Sequence, residues 1–472
     1  MKRSITIGVA LGAAAITALP VLPASAAAKA GQACTKLGSV KDGLTCVKKG
    51  SKRVFAAPVA APTTAAAAAP AAGAAPAPAP AAAAGLQEVP GFDGKTITIA
   101  YLGNVSVNSQ FPASASFATG GKALTAGFNA YMDRFNGAGG VAGKYKVKVL
   151  FKETYYTPSE AVKAYAEIKN QVVMIGQIYG TPQTQTLAKS LADDGLVGSP
   201  ISLDAAWVNN ANLLPVGSTY QKQSINVVDW AVKEGGGAGK TWCSLAIANN
   251  AYGDAGEEGF KIVAKALNLK VGGNFKTSTA PAVAQALKDA KCEAVHTTIS
   301  GEAQMSPLLA ETAKLDYFPL ITGNSPSVSS SFVVPANSLQ YAKQVFIAVD
   351  GVQWGDTSNP GMKKHIEDLK RSAPEQIGVP NAATEWGAAN AIAVTSLLNK
   401  AVALGDLSKT GMLKALGQLG PVDFEGIYPA WNYVEPGKRS APSQTYIYGV
   451  DISVPAALKL IKPYESAIAK GL

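Results

Sequence analysis

Few side chains in this 472-residue chain are of a kind that makes or breaks bonds. There are two histidines, His296 and His365, and four cysteines. No Gly-x-Ser-x-Gly elbow, His-Glu-x-x-His pair or Cys-x-x-Cys motif occurs. His296 falls inside the apolar run "CEAVHTTIS" and reads as packed core, while His365 sits on a charged helix. The run "GGGAG" before Lys240 precedes a strand instead of following one, so it reads as a surface turn and not as a phosphate-binding loop. Neither catalysis nor a metal or organic cofactor is expected. The cysteines fit an oxidising compartment. Cys34 and Cys46 flank "TKLGSVKDGLT", where Lys41-Asp42-Gly43 signals a turn, and a disulfide there would staple a module too small to fold on its own core. Cys243 and Cys292 lie near the starts of two predicted strands that neighbour one another in a doubly wound sheet; a disulfide and two buried thiols both fit.

Groups suited to holding a ligand cluster elsewhere, in loops that follow predicted strands. Open α/β sheets bind ligands beyond the carboxyl ends of their strands. The first such loop, "QIYGTPQT", offers Tyr179, Gly180 and Thr181; Thr181 is expected to cap the next helix, with Pro182 in its first turn, leaving free amides as a cradle for a carboxylate. The second offers Ser202 and Asp204, read either as ligand contacts or as a turn-forming pair. The third, "NNAYGDAG", offers Tyr252, and the fourth, "GNSPS", offers Asn324 at the lip of a cleft. Thr219, at the end of the first-lobe segment, is counted with them. Phe111 and Phe117, in the long loop "NVSVNSQFPASASFATGG", serve as pocket or lid residues or as anchors of an exposed loop.

The elements that must position these groups follow from periodicity. "KTITIAYLG" is a strand. Leu124, Phe128, Tyr131, Met132 and Phe135 mark one face of a helix that Asn136-Gly137 is expected to stop. Tyr145, Val147, Val149 and Phe151 then alternate with Lys144, Lys146, Lys148 and Lys152, the pattern of an edge strand guarded by solvated lysines. "VVMIG" is short and wholly apolar, as in a strand buried on both faces. Helix and strand continue to alternate, and a second series begins at Lys240 with "TWCSLAIA". Such alternation predicts parallel sheets with right-handed crossovers, and the two series predict two doubly wound, Rossmann-like α/β lobes.

The chain start is set apart. Lys2 and Arg3, an apolar stretch to Leu22 and Ala24-Ser25-Ala26 read as a secretory signal over 1–26, which makes the protein exported. A small basic two-cysteine module follows over 27–55, then an Ala/Pro-rich linker over 56–94. The formal charge of +10 is concentrated here: the module alone carries +6, and about +2 remains after Gly85. A nearly neutral body makes nucleic acid an unsuitable partner. The basic module suits anionic cell-envelope polymers or a plain solvated surface.

From Lys95 onward the chain resembles the type I periplasmic solute-binding proteins of the branched-chain amino acid (Leu/Ile/Val) kind. The likeness rests on "LTAGFNAYMDRFNGAGGVAGKYKVKVLFKE", "VVMIGQIYGTPQTQTLAKSLADDGLVGSPIS", "ANNAYGDAGEEGFKIVAKAL" and "EWGAANAIAVTSLLNKA". The stretch "ACTKLGSVKDGLTCVKKGSKRVFA" is similar to a two-cysteine module of exported actinobacterial proteins. The main resemblance implies two lobes joined by three crossing segments, lobe 1 spanning 95–219 plus 350–440 and lobe 2 spanning 220–349 plus 441–472. It implies a small solute caught between them and delivery to an ABC permease. It further implies that the first two loops hold an amino acid carboxylate and that acids hold its ammonium. Asn324 is neutral where such a receptor offers an acid, and an unpaired buried ammonium is costly, so an amide, a carboxylic acid or an aromatic solute stands beside an amino acid. An envelope interaction or sensing protein without a transport role is the alternative.

Overall fold

Where the sequence alternates strand and helix, the chain builds two sheets. They are seen in a computed structural model that describes residues 32–35, 40–41, 44–49, 51–56, 86–277, 280–328, 343–378, 383–454 and 457–472. The expected signal peptide and most of the expected linker lie outside these residues. The chain divides into two units. In the N-terminal one, β1 (Val40–Lys41), β2 (Leu44–Lys49) and β3 (Lys52–Ala56) form an antiparallel sheet. A disulfide joins Cys34 to Cys46, and Cys46 is buried.

The larger unit opens earlier than the linker boundary expected from composition. Phe92 is buried, packs edge-on to Tyr145, and Gly91 O accepts from Thr98 N, so residues 86–94 fold with the body. Its first sheet holds β4 (Thr96–Gly103), β5 (Lys146–Glu153), β6 (Ile175–Tyr179) and β7 (Gly198–Ile201), parallel, in the order β5-β4-β6-β7. Between them run α1 (Ala113–Gly137), α2 (Pro158–Ile168) and α3 (Thr181–Asp194). As the lysine alternation requires, β5 is an edge strand with Lys146 and Lys148 exposed and Val147 buried. Two local expectations move. The left-handed turn after α1 is made by Gly139 and Gly140, while Asn136 bonds both backbone groups of Val147 through its amide. The strand expected over Val172–Gly176 lies three residues later, at Ile175–Tyr179, with a register irregularity opposite Ala100 and Tyr101.

The chain then crosses over through α4 (Tyr220–Lys233) into β8 (Thr241–Ile247), α5 (Ala251–Ala266), β9 (Lys270–Thr277), α6 (Ala280–Asp289), β10 (Ala294–Thr298), α7 (Ser306–Lys314), β11 (Leu320–Asn324) and β12 (Val345–Val349). It returns for α8 (Pro360–Ser372), α9 (Ala383–Ala403), α10 (Lys409–Gly417), β13 (Gly420–Val422) and β14 (Trp431–Tyr433). A last crossing gives β15 (Thr445–Val450), β16 (Leu458–Tyr464) and α11 (Ala467–Lys470). The second sheet runs β16-β15-β12-β11-β10-β8-β9, parallel except for β15, which pairs antiparallel with both of its neighbours. These are the two doubly wound lobes and three crossings that the sequence leads one to expect. Helix α9 packs against α1 in the first lobe so closely that a side chain on Gly127 would sit 1.9 Å from Thr384 O. Cys243 and Cys292 are joined, with Cα atoms 5.7 Å apart. Both histidines are buried, and burial pushes His296 down to about 3 and His365 to about 4, so each is neutral near pH 7.

Candidate ligand-binding cleft

The first-lobe wall is built at the carboxyl ends of β4, β5 and β6. Glu153 closes β5, and its carboxylate accepts four backbone N–H groups, from Val105, Ser106, Thr154 and Tyr155, each at 3.0 Å. One acid thus pins two loops. Tyr155 and Tyr156 follow with φ of 49° and 53°, a left-handed pair that is uncommon for aromatic residues. They stack on Phe111 and Phe117, with ring centroids 5.2 and 3.7 Å apart, which assigns both phenylalanines to this wall. Tyr156 meets Tyr179 edge-on at 5.1 Å, and Tyr179 donates to Phe117 O at 3.3 Å.

At the tip of β6, Gly180 and not Thr181 is the cap of α3. Its φ of 109° suits glycine, and its carbonyl accepts from Thr184 N and Thr184 Oγ1. Thr181 is therefore the first residue of the helix, and it is buried. The Thr181 hydroxyl acts to lower the pKa of Tyr220, which opens α4 on the far side of the cleft. Tyr220 N in turn donates to Leu203 O at 2.7 Å.

On the opposite wall Asn250 caps α5 by accepting from Tyr252 N at 3.0 Å. The Tyr252 ring packs against Tyr220 at 4.8 Å, and its hydroxyl donates to Asn324 Oδ1 at 2.6 Å. Leu203 from the first lobe, Tyr220, Tyr252 and Ala255 share one buried cluster, with Trp386 of α9 packed beside it. Thr181 and Tyr252 thus approach one another through Tyr220, and the two walls meet.

Four polar candidates turn out to be holding the cleft's frame. Asn324 is fully buried beneath Tyr252 and not at a lip. Ser202 Oγ accepts from Trp207 Nε1 at 3.0 Å. Asp204 caps a short turn through Ala206 N and accepts from Gln221, whose amide also donates to Glu258 of α5. Its Oδ1 is thus the turn-forming member of the pair. Thr219 caps α4 through Lys222 N.

The sequence reading passed over Tyr155, Tyr156, Tyr220, Trp386, Asp350 and Glu385. The strand-tip rule, applied to β5 as it was to β6, points to the first two. Asp350 lies at the second crossing, where its Oδ1 accepts from Ser325 of the second lobe and from Trp386 Nε1 of the first, both at 3.0 Å. Burial raises it to about 6. Burial likewise raises Glu385 to about 8, although Thr384 Oγ1 donates to its carboxylate at 2.6 Å. Burial pushes the hydroxyls of Tyr156, Tyr179, Tyr220 and Tyr252 up as well, so all four stay neutral donors at physiological pH. A depression of about 280 Å³ beside Val89, Val172 and Lys409 lies away from these strand tips.

A family model described as periplasmic binding protein matches residues 96–453. The chain belongs to the periplasmic binding protein family. That family consists of solute-binding receptors and not of enzymes. A fatty acid ABC transporter substrate-binding protein from Thermomonospora curvata is 23% identical, over 82% of this chain and 97% of its own, with a TM-score of 0.74. A branched-chain amino acid ABC transporter protein from Thermus thermophilus with bound valine is 14% identical, over 80% and 98%, with a TM-score of 0.68. A solute-binding protein from R. palustris in complex with 4-hydroxybenzoate is also 14% identical, over 80% and 99%, with a TM-score of 0.65. At these identities the three establish the fold alone. A comparison with curated proteins finds no match.

Proposed function

We propose that this periplasmic binding protein is exported, captures a small organic solute (an amino acid or a related amide or carboxylate) between its lobes and delivers it to an ABC permease. The observation that carries the reading is the packing of Leu203 of the first lobe with Tyr220 and Tyr252 of the second, which brings strand-tip groups of both lobes to one cleft. A solute bridging them favours the closed form by its differential affinity, and the closed form presents a distinct surface to a permease. Of the sequence candidates, Tyr179, Gly180, Thr181 and Tyr252 are the proposed solute contacts. Ser202, Asp204, Thr219 and Asn324 hold the frame around them.

The N-terminal module is proposed to rest on anionic envelope polymers, with the Ala/Pro segment as a tether. In its β2–β3 hairpin Lys48 lies opposite Arg53 and Lys49 opposite Lys52, pairings that repel unless an anion is near. Among the described residues no helix is long and apolar enough to cross a membrane. Screening amino acids, amides and carboxylic acids by thermal shift tests the receptor reading. One class should raise the melting temperature by several degrees, and loss of uptake of that solute on deletion should follow. No shift with any class would favour an envelope interaction protein without transport. Cell-wall binding that salt does not weaken would refute the role given to the module.

A further inference from the structure

The receptor reading leaves the solute open, and the cleft walls narrow it. Tyr156 occupies a central place that no sequence motif announces. Its ring stacks on Phe117 at 3.7 Å and meets the edge of Tyr179 at 5.1 Å. From the second lobe come Tyr220 and Tyr252, themselves 4.8 Å apart. Tyr156 and Tyr179 also keep part of their surface open, whereas Tyr220 and Tyr252 are buried. Two consecutive left-handed residues, the first of them bonded to Glu153 through its N–H, hold this ring where it is.

The charge of the site is as telling as its shape. Among the described residues, the groups that act on these four hydroxyls are one another, Tyr101, Thr181, Ser327 and the backbone of Leu203. None of these is ionic. Asp204, the acid that the sequence offers here, directs its Oδ1 at a turn and at Gln221. One polar end remains. Gln183, in the first turn of α3, is buried, and both atoms of its amide have no hydrogen-bond partner among the described residues. A side chain at Gly180 would meet Gln183 Oε1 at 2.1 Å and the Tyr156 ring at 2.9 Å, so amide and ring converge on the same point.

We propose that Phe117, Tyr156, Tyr179, Tyr220 and Tyr252 form an uncharged aromatic box that selects a solute with an aromatic ring, a hydrogen-bonding substituent directed at Gln183 and Thr181, and no ammonium group. Rings stack on rings with an advantage over aliphatic chains of equal area. An α-ammonium enclosed here would lose its hydration, and among the described residues no ionic group acts on these hydroxyls to offset that loss. Tyr156 is then the specificity-determining platform. The inference rests on the receptor reading, and the test separates the two.

Isothermal titration of the full mature chain, disulfides intact, would use benzoate, 4-hydroxybenzoate and benzamide against leucine and octanoate. At least one aromatic probe should bind and leucine should not. Tyr156→Leu, which keeps apolar bulk but removes the ring, should weaken the aromatic probe about tenfold, and Tyr156→Phe by far less. Should Tyr156→Leu fail to fold by circular dichroism, Tyr179→Leu serves in its place with the same expected direction. Tighter binding of leucine or octanoate than of every aromatic, or unchanged affinity in the folded leucine variant, would overturn the box and leave the receptor intact. Silence from both classes would remove the receptor reading, and the box with it.

Discussion

Glu153 is the residue on which the first-lobe wall depends most. Four amides from two loops converge on one carboxylate, and charge-assisted bonds of this kind are among the stronger ones in a fold. Glu153→Ala should cost roughly 2–3 kcal/mol of stability in denaturant titration and weaken solute binding further, because Tyr155 and Tyr156 lose their anchor. Glu153→Gln, which keeps one acceptor, should lie between. Glu385 gives a second expectation. Its folded pKa of about 8 stands above the ordinary carboxyl value, so its protonated form is favoured by folding. Its contribution to stability is complete below about pH 4 and is lost as pH rises through about 8; Asp350 acts in the same sense up to about 6. Glu385→Gln should therefore raise the melting temperature at pH 8, leave it nearly unchanged at pH 5, and flatten the slope between. An unchanged slope would mean that the carboxyl is ionised and served by a partner.

At this same scale, the residues that shape the cleft differ in how plainly the sequence shows them. Tyr179, Gly180, Thr181 and Tyr252 stand out because they follow strands whose apolar runs are unmistakable. Ser202, Asp204, Thr219 and Asn324 look alike in sequence, yet the fold spends them on a tryptophan N–H, two caps and a tyrosine hydroxyl. A strand-tip hydroxyl or carboxylate is as good a cap as a ligand contact, and sequence does not distinguish the two.

At the level of elements, the α/β series was readable wherever one face is apolar. Helix α4 was not. It is buried along most of its length, yet Gln221, Lys222, Gln223, Asn226 and Asp229 deny it an apolar stripe. Those groups are bonds to other segments: Lys222 Nζ donates to Ala441 O, Gln223 Nε2 to Ser218 O, and Asn226 Nδ2 to Ser443 O. A helix that serves as a junction is written in polar residues and escapes a periodicity test. Strand β16 was missed because Pro463 and the exposed lysines of an outer strand interrupt its pattern. Two element-scale outcomes follow. Breaking the Cys243–Cys292 bridge, which spans 49 residues, by a double Cys→Ala change should cost about 4 kcal/mol on loop-entropy grounds, read as a shift in the denaturation midpoint. Gly127→Ala should force α1 from α9, since its new methyl meets Thr384 O, and should lower the melting temperature by more than an exposed helical Gly→Ala raises it.

For the whole molecule, three crossings between two lobes form a hinge, and Asp350 links both lobes across it through Ser325 and Trp386. Asp350→Asn keeps the acceptor for both donors, while Asp350→Ala leaves the Ser325 hydroxyl and the Trp386 N–H without it. The alanine variant should open more readily and bind solute several-fold more weakly. The deciding measurement is the distance between spin labels at Val162 and Val271, exposed positions on α2 of one lobe and β9 of the other, in the full chain with both disulfides intact. Without solute the distribution should be broad or two-peaked, and a saturating solute should collapse it onto one shorter distance. A solute that binds tightly and leaves the distribution unchanged would contradict capture by closure of the two lobes.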